Sequence, residues 1–246
     1  MTILEVKDLR KYFSVEDGIF ASLKAPRKAV DGVSFFLEQG RNLGIVGESG
    51  CGKSTLAKLI LKLLKPDSGE IVFSFGIEQF RKDVGIVFQD PLLSLDPRMR
   101  IKDILLEPLL THRLDSDISK IKGLLDSVGL EPDILSRLPS QLSGGQRQRV
   151  CIARSLASQP KLLILDEPIS SLDLITQRQI LELLLKLKDE FKMTYIFISH
   201  NMAVVKKIAG WVMVMLEGKI IEQGLKDDIF SHPKSDYTKK LLEAAR

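Results

Sequence analysis

The stretch that decides the fold runs Asn42-Leu43-Gly44-Ile45-Val46-Gly47-Glu48-Ser49-Gly50-Cys51-Gly52-Lys53-Ser54. It begins with a strand-like apolar segment, continues with a glycine-rich turn, and leads into a helical apolar period from Ser54 to Leu64. A phosphate-binding loop requires this order of strand, turn and helix, with Lys-Ser where the helix opens. A glycine-rich turn before an ordinary helix is the bland alternative, and the Lys-Ser pair disfavours it.

The residue types in this loop suit a triphosphate. Absent glycine side chains let backbone N–H groups converge into an anion nest, and the helix N-terminus adds its positive dipole end. Lys53 would reach the β- and γ-phosphates, and the Ser54 hydroxyl would ligate Mg²⁺. The predicted nucleotide contacts here are Gly47, Ser49, Gly50, Cys51, Gly52, Lys53, Ser54 and Thr55.

A second strand pattern ends in two carboxylates. Leu162 to Leu165 is a continuous apolar run, and Asp166 and Glu167 follow it. Such a buried strand places its C-terminal residues beside the phosphate loop. Asp166 suits the Mg²⁺ shell, and Glu167 suits a base that polarises the attacking water. Alone, the pattern is more often a strand end with solvated charges; joined to the phosphate loop, it indicates phosphoryl transfer.

The remaining patterns predict a parallel α/β architecture with a helical insertion. Val15 to Lys28 is polar and aperiodic, which is typical of a surface loop. From Leu92 to Leu156 the patterns are helical and broken by prolines, which indicates a helical subdomain. Strands are predicted at Ile3–Leu9, Ala29–Leu37, Gly69–Phe73, Val84–Phe88, Thr194–Ser199, Trp211–Leu216 and Lys219–Gln223, and helices at Leu174–Lys188 and from Tyr237 onward.

Composition narrows the class of protein. The 246 residues are 44% hydrophobic and 28% charged, enough for a substantial core, and the net charge of +4 comes from interleaved cations and anions. This balance does not favour nucleic acid as a partner. No apolar run approaches the roughly 20 residues of a membrane span, and the first residues lack a signal-peptide order, so we expect a soluble, intracellular chain. The two cysteines, Cys51 and Cys151, have no metal-ligand spacing.

Leu142-Ser143-Gly144-Gly145-Gln146 is the most diagnostic segment. Its Ser-Gly-Gly start predicts a helix N-cap with exposed amides, a second anion-binding end. The segment resembles the signature motif of ABC ATPases; the bland alternative is a capped surface helix. In that family the motif binds the γ-phosphate of ATP held by the opposite subunit. The resemblance therefore implies ATP and Mg²⁺ as ligands and a head-to-tail dimer with two composite sites.

Further residues match the family's motifs. Gln89 matches the glutamine that senses Mg²⁺ and water, Asp173 the aspartate that helps pair subunits, and His200 the histidine that contacts the γ-phosphate. Phe13 aligns with the aromatic that stacks on adenine, and Val30 is placed to pack on the nucleotide. Plainer alternatives stay open. Gln89 could be a polar loop residue, Asp173 a helix N-cap and His200 a structural histidine, and Phe13 could be a core aromatic. The resemblance implies Glu167, His200, Gln89 and Lys53 as catalytic residues, Ser54, Gln89 and Asp166 as metal ligands, and Ser143, Gly144, Gly145, Gln146 and Asp173 as nucleotide contacts.

The resemblance covers almost the whole chain and implies one ABC ATPase domain over 1–246. Its fold is α/β: a P-loop NTPase core with an antiparallel β subdomain (1–88 and 161–246) and a helical subdomain (89–160). Departures are few: Ser171 stands where the family often has Ala, and Asn201 where Asp is usual. Neither removes a catalytic group, and asparagine is itself a good helix cap.

Three sets of residues resemble the peptide and nickel importer group: Lys28 to Ser34, Phe88 to Pro91 with Asp96 to Arg98, and His232-Pro233 with Tyr237 to Lys239. This implies an ATPase at the cytoplasmic face of the membrane whose dimer closure drives uptake. The implied partners are transmembrane permease subunits, a second copy or a homologous ATPase, and an extracytoplasmic substrate-binding protein. Peptide-transporting members often carry a C-terminal extension with clustered cysteines, which is missing before Arg246, so peptides, nickel and metal chelates all stay open.

Other classes of ATPase share this core. DNA-repair and chromosome-organising ATPases separate their motifs by coiled coils or zinc modules, whereas Lys53 and Ser143 are joined without heptads or cysteine pairs. A soluble ATPase of an assembly pathway and an export ATPase stay as alternatives. The importer-like segment after Gln89 favours import.

Overall fold

The computed structural model describes residues 1–14, 26–76 and 79–244. Its contacts divide the chain into two compact units, Met1–Ser74 with Ile196–Arg246, and Phe75–Tyr195. The strands are β1 Thr2–Phe13, β2 Arg27–Glu38, β3 Asn42–Val46, β4 Ser68–Phe73, β5 Val84–Val87, β6 Leu162–Asp166, β7 Thr194–Ser199, β8 Trp211–Leu216 and β9 Lys219–Leu225. The helices are α1 Lys53–Ile60, α2 Phe80–Asp83, α3 Pro91–Ser94, α4 Ile101–Thr111, α5 Ile118–Ser127, α6 Gly144–Leu156, α7 Leu174–Phe191, α8 Met202–Ile208, α9 Lys226–Ser231 and α10 Asp236–Ala244.

The first unit contains an antiparallel sheet in the order β2-β1-β4. The central strand β1 pairs Leu4 with Leu37 on one side and with Phe73 on the other. Val6 and Leu9 of β1 are buried, while Lys7 and Asp8 between them face solvent. The β-rich start that the sequence predicts is therefore a separate antiparallel layer, with one face covered.

A second set of strands in this unit carries the phosphate loop. β3 is buried along its whole length and pairs in parallel with β8, which continues through a hairpin into antiparallel β9. The predicted hairpin around Glu217-Gly218 is confirmed. Helix α8 packs closely on β3, since a Cβ on Gly44 would lie 2.4 Å from Val205 Cγ1. The pairing with β8 and the packing of α8 thus fix the end of β3, where the phosphate loop begins.

The second unit combines parallel strands with helices. β5 and β6 pair in parallel from Val84–Leu162 to Val87–Leu165. Helix α6 contacts α3, α4 and α5, so it is the centre of the helical part. The α/β fold with an antiparallel sheet and a helical part is confirmed; the predicted subdomain bounds at 89–160 stay a prediction. Within residues 1–14, 26–76 and 79–244, no helix has the length and apolarity that crossing a membrane requires.

Some local predictions need correction. The helix after the phosphate loop ends at Ile60 instead of Leu64, because Lys62 adopts a left-handed φ of 56° and Leu63 N–H bonds back to the Lys58 carbonyl. Pro108, one of the prolines expected to break a helix, lies inside α4, which continues to Thr111 although the missing N–H of Pro108 leaves the Ile104 carbonyl without its usual helical partner. The predicted loop Val15–Lys28 lies outside the described residues from 15 to 25, and Arg27 and Lys28 already belong to β2.

Candidate active site

The phosphate loop, Gly47 to Gly52, connects β3 to α1 in a tight turn. Gly52 is the N-cap of α1, with φ at +112°. A Cβ at Gly52 would lie 2.0 Å from the Ala29 carbonyl oxygen of β2. Only glycine combines this backbone conformation with so close an approach. The loop is therefore held directly against the antiparallel sheet.

Lys53 places a buried positive charge inside this turn. Only 4% of the residue is exposed. Its Nζ donates to the carbonyl oxygens of Gly47 at 2.7 Å and Glu48 at 2.9 Å. The first turn of α1 carries no acidic residue. An ammonium group at a helix N-terminus whose first turn has no acidic residue fits a multiply charged anion such as a triphosphate.

Three distant segments support the loop, and sequence reasoning did not assign any of them to the site. Arg27 Nη2 donates to the Gly50 carbonyl at 2.9 Å. The Gly218 N–H donates to the Cys51 carbonyl at 2.9 Å. The backbone N–H of Glu48 donates to Tyr237 Oη at 3.1 Å. The hairpin at Gly218 and the helix at Tyr237 were predicted, but no local pattern shows where they dock.

Phe13 and Val30, the predicted nucleotide-stacking residues, differ in accessibility. Phe13 ends β1 with 38% of its surface exposed, and Lys11 Nζ lies 5.8 Å from its ring centroid. Val30 is completely buried, so it presents no surface, and its contact with nucleotide stays a prediction. Beside them, Tyr12 donates a 2.6 Å hydrogen bond to Asp31, which holds the pKa of that carboxyl below its usual value.

His200 follows the fully buried strand β7 and is exposed. Asn201 caps the next helix, α8, because its Oδ1 accepts from the backbone N–H groups of Ala203 at 2.9 Å and Val204 at 3.3 Å. The expectation that asparagine can cap this helix is confirmed. The cap fixes the chain direction immediately after His200.

In the second unit, the predicted catalytic carboxylates lie at the end of β6. Asp166 is its last residue and is buried. Glu167 follows with a left-handed φ of 49°, and both the N–H and the hydroxyl of Ser170 donate to the Glu167 carbonyl. Gln89 and Glu167 each lie two residues beyond the last pair, Val87–Leu165, so both leave the sheet at the same edge. Parallel pairing thus brings these two predicted residues together.

The signature segment forms a capped helix start. Ser143 Oγ accepts from the Gln146 N–H at 3.2 Å, and Gln146 Oε1 accepts from the Ser143 N–H at 3.0 Å. This reciprocal pair is a capping box. Arg147 Nη1 donates to the Leu142 carbonyl at 3.0 Å and so holds the approach to the helix. The first turn of α6, with Gly144 and Gly145, contains no acidic residue and can receive an anion.

Asp173 caps α7 beside the signature segment. Its carboxylate accepts from the backbone N–H groups of Thr176 and Ile175 and from the Thr176 hydroxyl, and the bonds from Thr176 lower its pKa most. A Cβ on Gly145 would lie 2.8 Å from Thr176 Cγ2, so the starts of α6 and α7 touch. Leu174, next to Asp173, exposes 82% of its surface. The starts of α6 and α7 in the second unit thus form a surface that combines the polar cap at Asp173 with the exposed apolar side chain of Leu174.

Each unit gathers a distinct part of the predicted site. The first contains the phosphate loop with Ser49, Ser54 and Thr55, together with Phe13, Val30 and His200; the second contains Gln89, Asp166, Glu167, Asp173 and the signature residues. A loop for a triphosphate, a carboxylate that can accept a proton from water and a second anion-binding helix start are parts that hydrolysis of a triphosphate's phosphoanhydride bond uses. The fold and the phosphate loop define a P-loop nucleoside triphosphatase.

Comparisons with known proteins identify the family. The ABC transporter family matches residues 30–170, more than half of the chain. The chain is 44% identical over 256 residues to the oligopeptide transport ATP-binding protein AppF of Bacillus subtilis, covering 99% of this chain and 78% of AppF. It is 43% identical to the glutathione import ATP-binding protein GsiA of Pectobacterium atrosepticum, covering 98% of this chain but only 41% of GsiA.

A solved structure of an ATP-binding cassette has the same fold as this chain. The ATP-binding cassette MJ0796, solved as a dimer in a post-hydrolysis state with ADP and Pi, superposes with a TM-score of 0.77 at 27% identity. The match covers 91% of this chain and 99% of that one. The chain belongs to the ABC transporter family, and it is an ATP-binding, ATP-hydrolysing member of it.

Proposed function

We propose that this chain is the ATPase subunit of an ABC importer that takes up short peptides. The observation that carries the proposal is the 44% identity to an oligopeptide transport ATPase over 99% of the chain. The two relatives named above act on oligopeptides and glutathione, which is itself a short peptide, whereas neither name supports nickel or metal chelates. Uptake of a short peptide is therefore the first substrate class to test.

At the proposed site, the phosphate loop and Lys53 bind the β- and γ-phosphates of ATP. Glu167 orients the attacking water and accepts its proton, and His200 contacts the γ-phosphate. Ser54, Gln89 and Asp166 would hold Mg²⁺, which neutralises phosphate charge when bound. Among the described residues, no group of three or more His, Cys, Asp or Glu side chains is arranged to hold a metal ion. Phosphate oxygens of the bound nucleotide would supply further ligands to the proposed donor set.

The site is completed by a second ATPase subunit, either another copy or a homologous chain. The capped start of α6, with Ser143 to Gln146, would bind the γ-phosphate of ATP held in the opposite phosphate loop. Leu174 and Ile175, exposed at 82% and 74% beside Asp173, supply apolar surface for this pairing. The dimeric state of MJ0796 with ADP and Pi supports such an arrangement. ATP-driven closure of the dimer would then do the mechanical work.

The remaining partners lie at the membrane. The helical stretch after Gln89 would dock on transmembrane permease subunits, and α3 offers the exposed side chains Leu92 and Leu93 for it. A substrate-binding protein on the outer side would deliver the peptide. The chain would then work as a peripheral protein at the cytoplasmic face, where ATP is available.

Glu167→Gln tests the chemistry, because it removes the proton acceptor and preserves the shape of the side chain. Loss of a general base reduces the rate about 10²–10⁴-fold. We expect steady-state ATP hydrolysis to fall by that factor while ATP binding persists. Glu217→Gln is the matched control, since Glu217 has nearly the same backbone φ, 48°, and no role in the proposed chemistry. Normal turnover by Glu167→Gln would refute the assignment of the base.

The same variant tests transport. ATP-bound Glu167→Gln, tagged and solubilised from its native membranes, should bring permease chains with it. Vesicles containing the corresponding wild-type complex should then take up a labelled dipeptide or tripeptide as ATP is hydrolysed. Recovery of soluble proteins alone would favour an assembly-pathway ATPase, and ATP-driven movement in the opposite direction would favour an exporter.

A further inference from the structure

The C-terminal helix contacts the phosphate loop through one hydroxyl group. Tyr237, in the first turn of α10, accepts a hydrogen bond at its Oη from the backbone N–H of Glu48 at 3.1 Å. The two residues are 189 positions apart in sequence. Tyr237 is half-buried, and burial raises the pKa of its phenol, so the hydroxyl is neutral at physiological pH.

A chain of hydrogen bonds holds the segment that carries Tyr237. Glu222 of β9 accepts from the backbone N–H groups of Lys234 at 2.8 Å and Ser235 at 3.0 Å. Ser235 Oγ in turn accepts from the Tyr237 N–H at 3.2 Å. These bonds fix the turn that precedes α10 to the β8–β9 hairpin. The position of the Tyr237 hydroxyl is thus set by the sheet and does not depend on the helix alone.

The residue that Tyr237 holds is the one that orients the loop lysine. The Glu48 carbonyl accepts from Lys53 Nζ at 2.9 Å and from the Cys51 N–H at 3.3 Å. One peptide segment is therefore fixed by Tyr237 at its N–H, while its carbonyl directs the Lys53 ammonium. A shift of Glu48 would move the acceptor that Lys53 now uses, and with it the charge that meets the phosphates.

We propose that Tyr237 is a positioning residue for ATP binding, acting through Glu48 on the orientation of Lys53. The inference depends on nucleotide binding at the phosphate loop, which the proposed function shares, and is independent of the permease and the transported substrate. The alternative is that the bond only docks α10. A docking role predicts lower stability with unchanged ATP affinity, whereas a positioning role predicts weaker ATP binding.

Tyr237→Phe removes the hydroxyl and keeps the ring. One neutral hydrogen bond corresponds to roughly a two- to tenfold change in an equilibrium constant. We expect the Kd and KM for ATP to rise by that factor, with a smaller change in kcat at saturating ATP. Tyr195→Phe is the matched control, because it removes a hydroxyl that donates to the Leu184 carbonyl at 3.0 Å, within the other unit. It should leave the Kd for ATP unchanged.

Glu222→Gln provides a second, independent perturbation. An amide replaces one carboxylate oxygen, so one of the two N–H acceptors before α10 is lost. ATP affinity should fall in this variant, but the double variant Glu222→Gln/Tyr237→Phe should bind ATP no more weakly than Tyr237→Phe alone, because both act through one contact. Additive losses would show that Glu222 acts by another route and would overturn the proposed path.

The two hypotheses fail separately in this experiment. Titration of ATP into the purified wild type, Tyr237→Phe and Tyr195→Phe gives three affinities, and thermal unfolding of each gives its stability. Equal ATP affinities for the wild type and Tyr237→Phe would overturn the positioning role and leave the nucleotide site intact. Absence of ATP binding by the wild type would overturn both the site and the inference.

Discussion

Replacing Gly52 by alanine tests how closely the phosphate loop is built against β2. The new Cβ would lie 2.0 Å from the Ala29 carbonyl oxygen, 3.2 Å from its carbon and 3.5 Å from Gly218 Cα. These are backbone atoms, which cannot rotate away. Since a carbon–oxygen contact normally needs about 3.3 Å, the loop and the strand would have to separate by more than an ångström.

The expected magnitude has two parts. A left-handed backbone costs an L residue about 1–2 kcal/mol. Forcing an extra carbon into a packed region costs about 1–3 kcal/mol more. We therefore expect Gly52→Ala to lower the free energy of unfolding by about 2–5 kcal/mol, and to weaken ATP binding at least about tenfold because the loop amides are displaced.

Two other glycines separate these contributions. Gly40 has a φ of +80°, but a Cβ added there would meet nothing within 4 Å, so Gly40→Ala should show the backbone cost alone and retain ATP affinity. Gly123 lies in helix α5 with open space around it, so Gly123→Ala should stabilise the chain by about 0.5–1 kcal/mol. Urea unfolding and ATP titration of the three variants give the comparison. The reasoning fails if Gly52→Ala is no more destabilising than Gly40→Ala.

Two further predictions concern the second unit. Lys161→Met removes the ammonium that lies 2.8 Å from the buried Asp83 carboxylate; it should lower stability by about 2–3 kcal/mol in urea unfolding, and an unchanged midpoint would contradict the role of this pair. Burial raises the pKa of the Cys151 thiol from 9.0 to about 11. The folded state therefore favours the neutral thiol, and the stability that this preference contributes is complete below pH 9 and is lost as the pH rises through 11. The stability difference between wild type and Cys151→Ala should shrink by about 2–3 kcal/mol over that range; a constant difference would refute the burial argument.

Local patterns were enough to predict the parts of the site that lie within one segment. The phosphate loop is a strand, a turn and a helix in direct succession, and Asp166-Glu167 end a strand that is apolar throughout. The cap at Ser143 also depends only on residues three positions apart. In each case the side chains that define the element are neighbours in sequence, so their chemistry is visible without the fold.

Contacts between distant segments could not be predicted in the same way. Arg27, Gly218 and Tyr237 reach the loop from a strand, a hairpin and a helix, and only tertiary packing decides where these elements meet. The burial of Val30 has the same origin, because the residue alternates correctly for a strand but the pattern does not say which face meets the core. The end of α1 was missed since Lys62 has no local signal for a left-handed conformation.

The backbone of Glu167 connects local structure with function. Its φ of 49° is a conformation that glycine adopts freely and that costs an L residue about 1–2 kcal/mol. The turn that follows is held by two hydrogen bonds from Ser170 to the Glu167 carbonyl, so the surrounding structure enforces this conformation. Stability alone would favour glycine at this position. The conformation alone does not identify a catalytic residue, since Glu217 has nearly the same φ, 48°. What agrees with the proposed role of Glu167 as the base in ATP hydrolysis is its position directly after the buried strand β6.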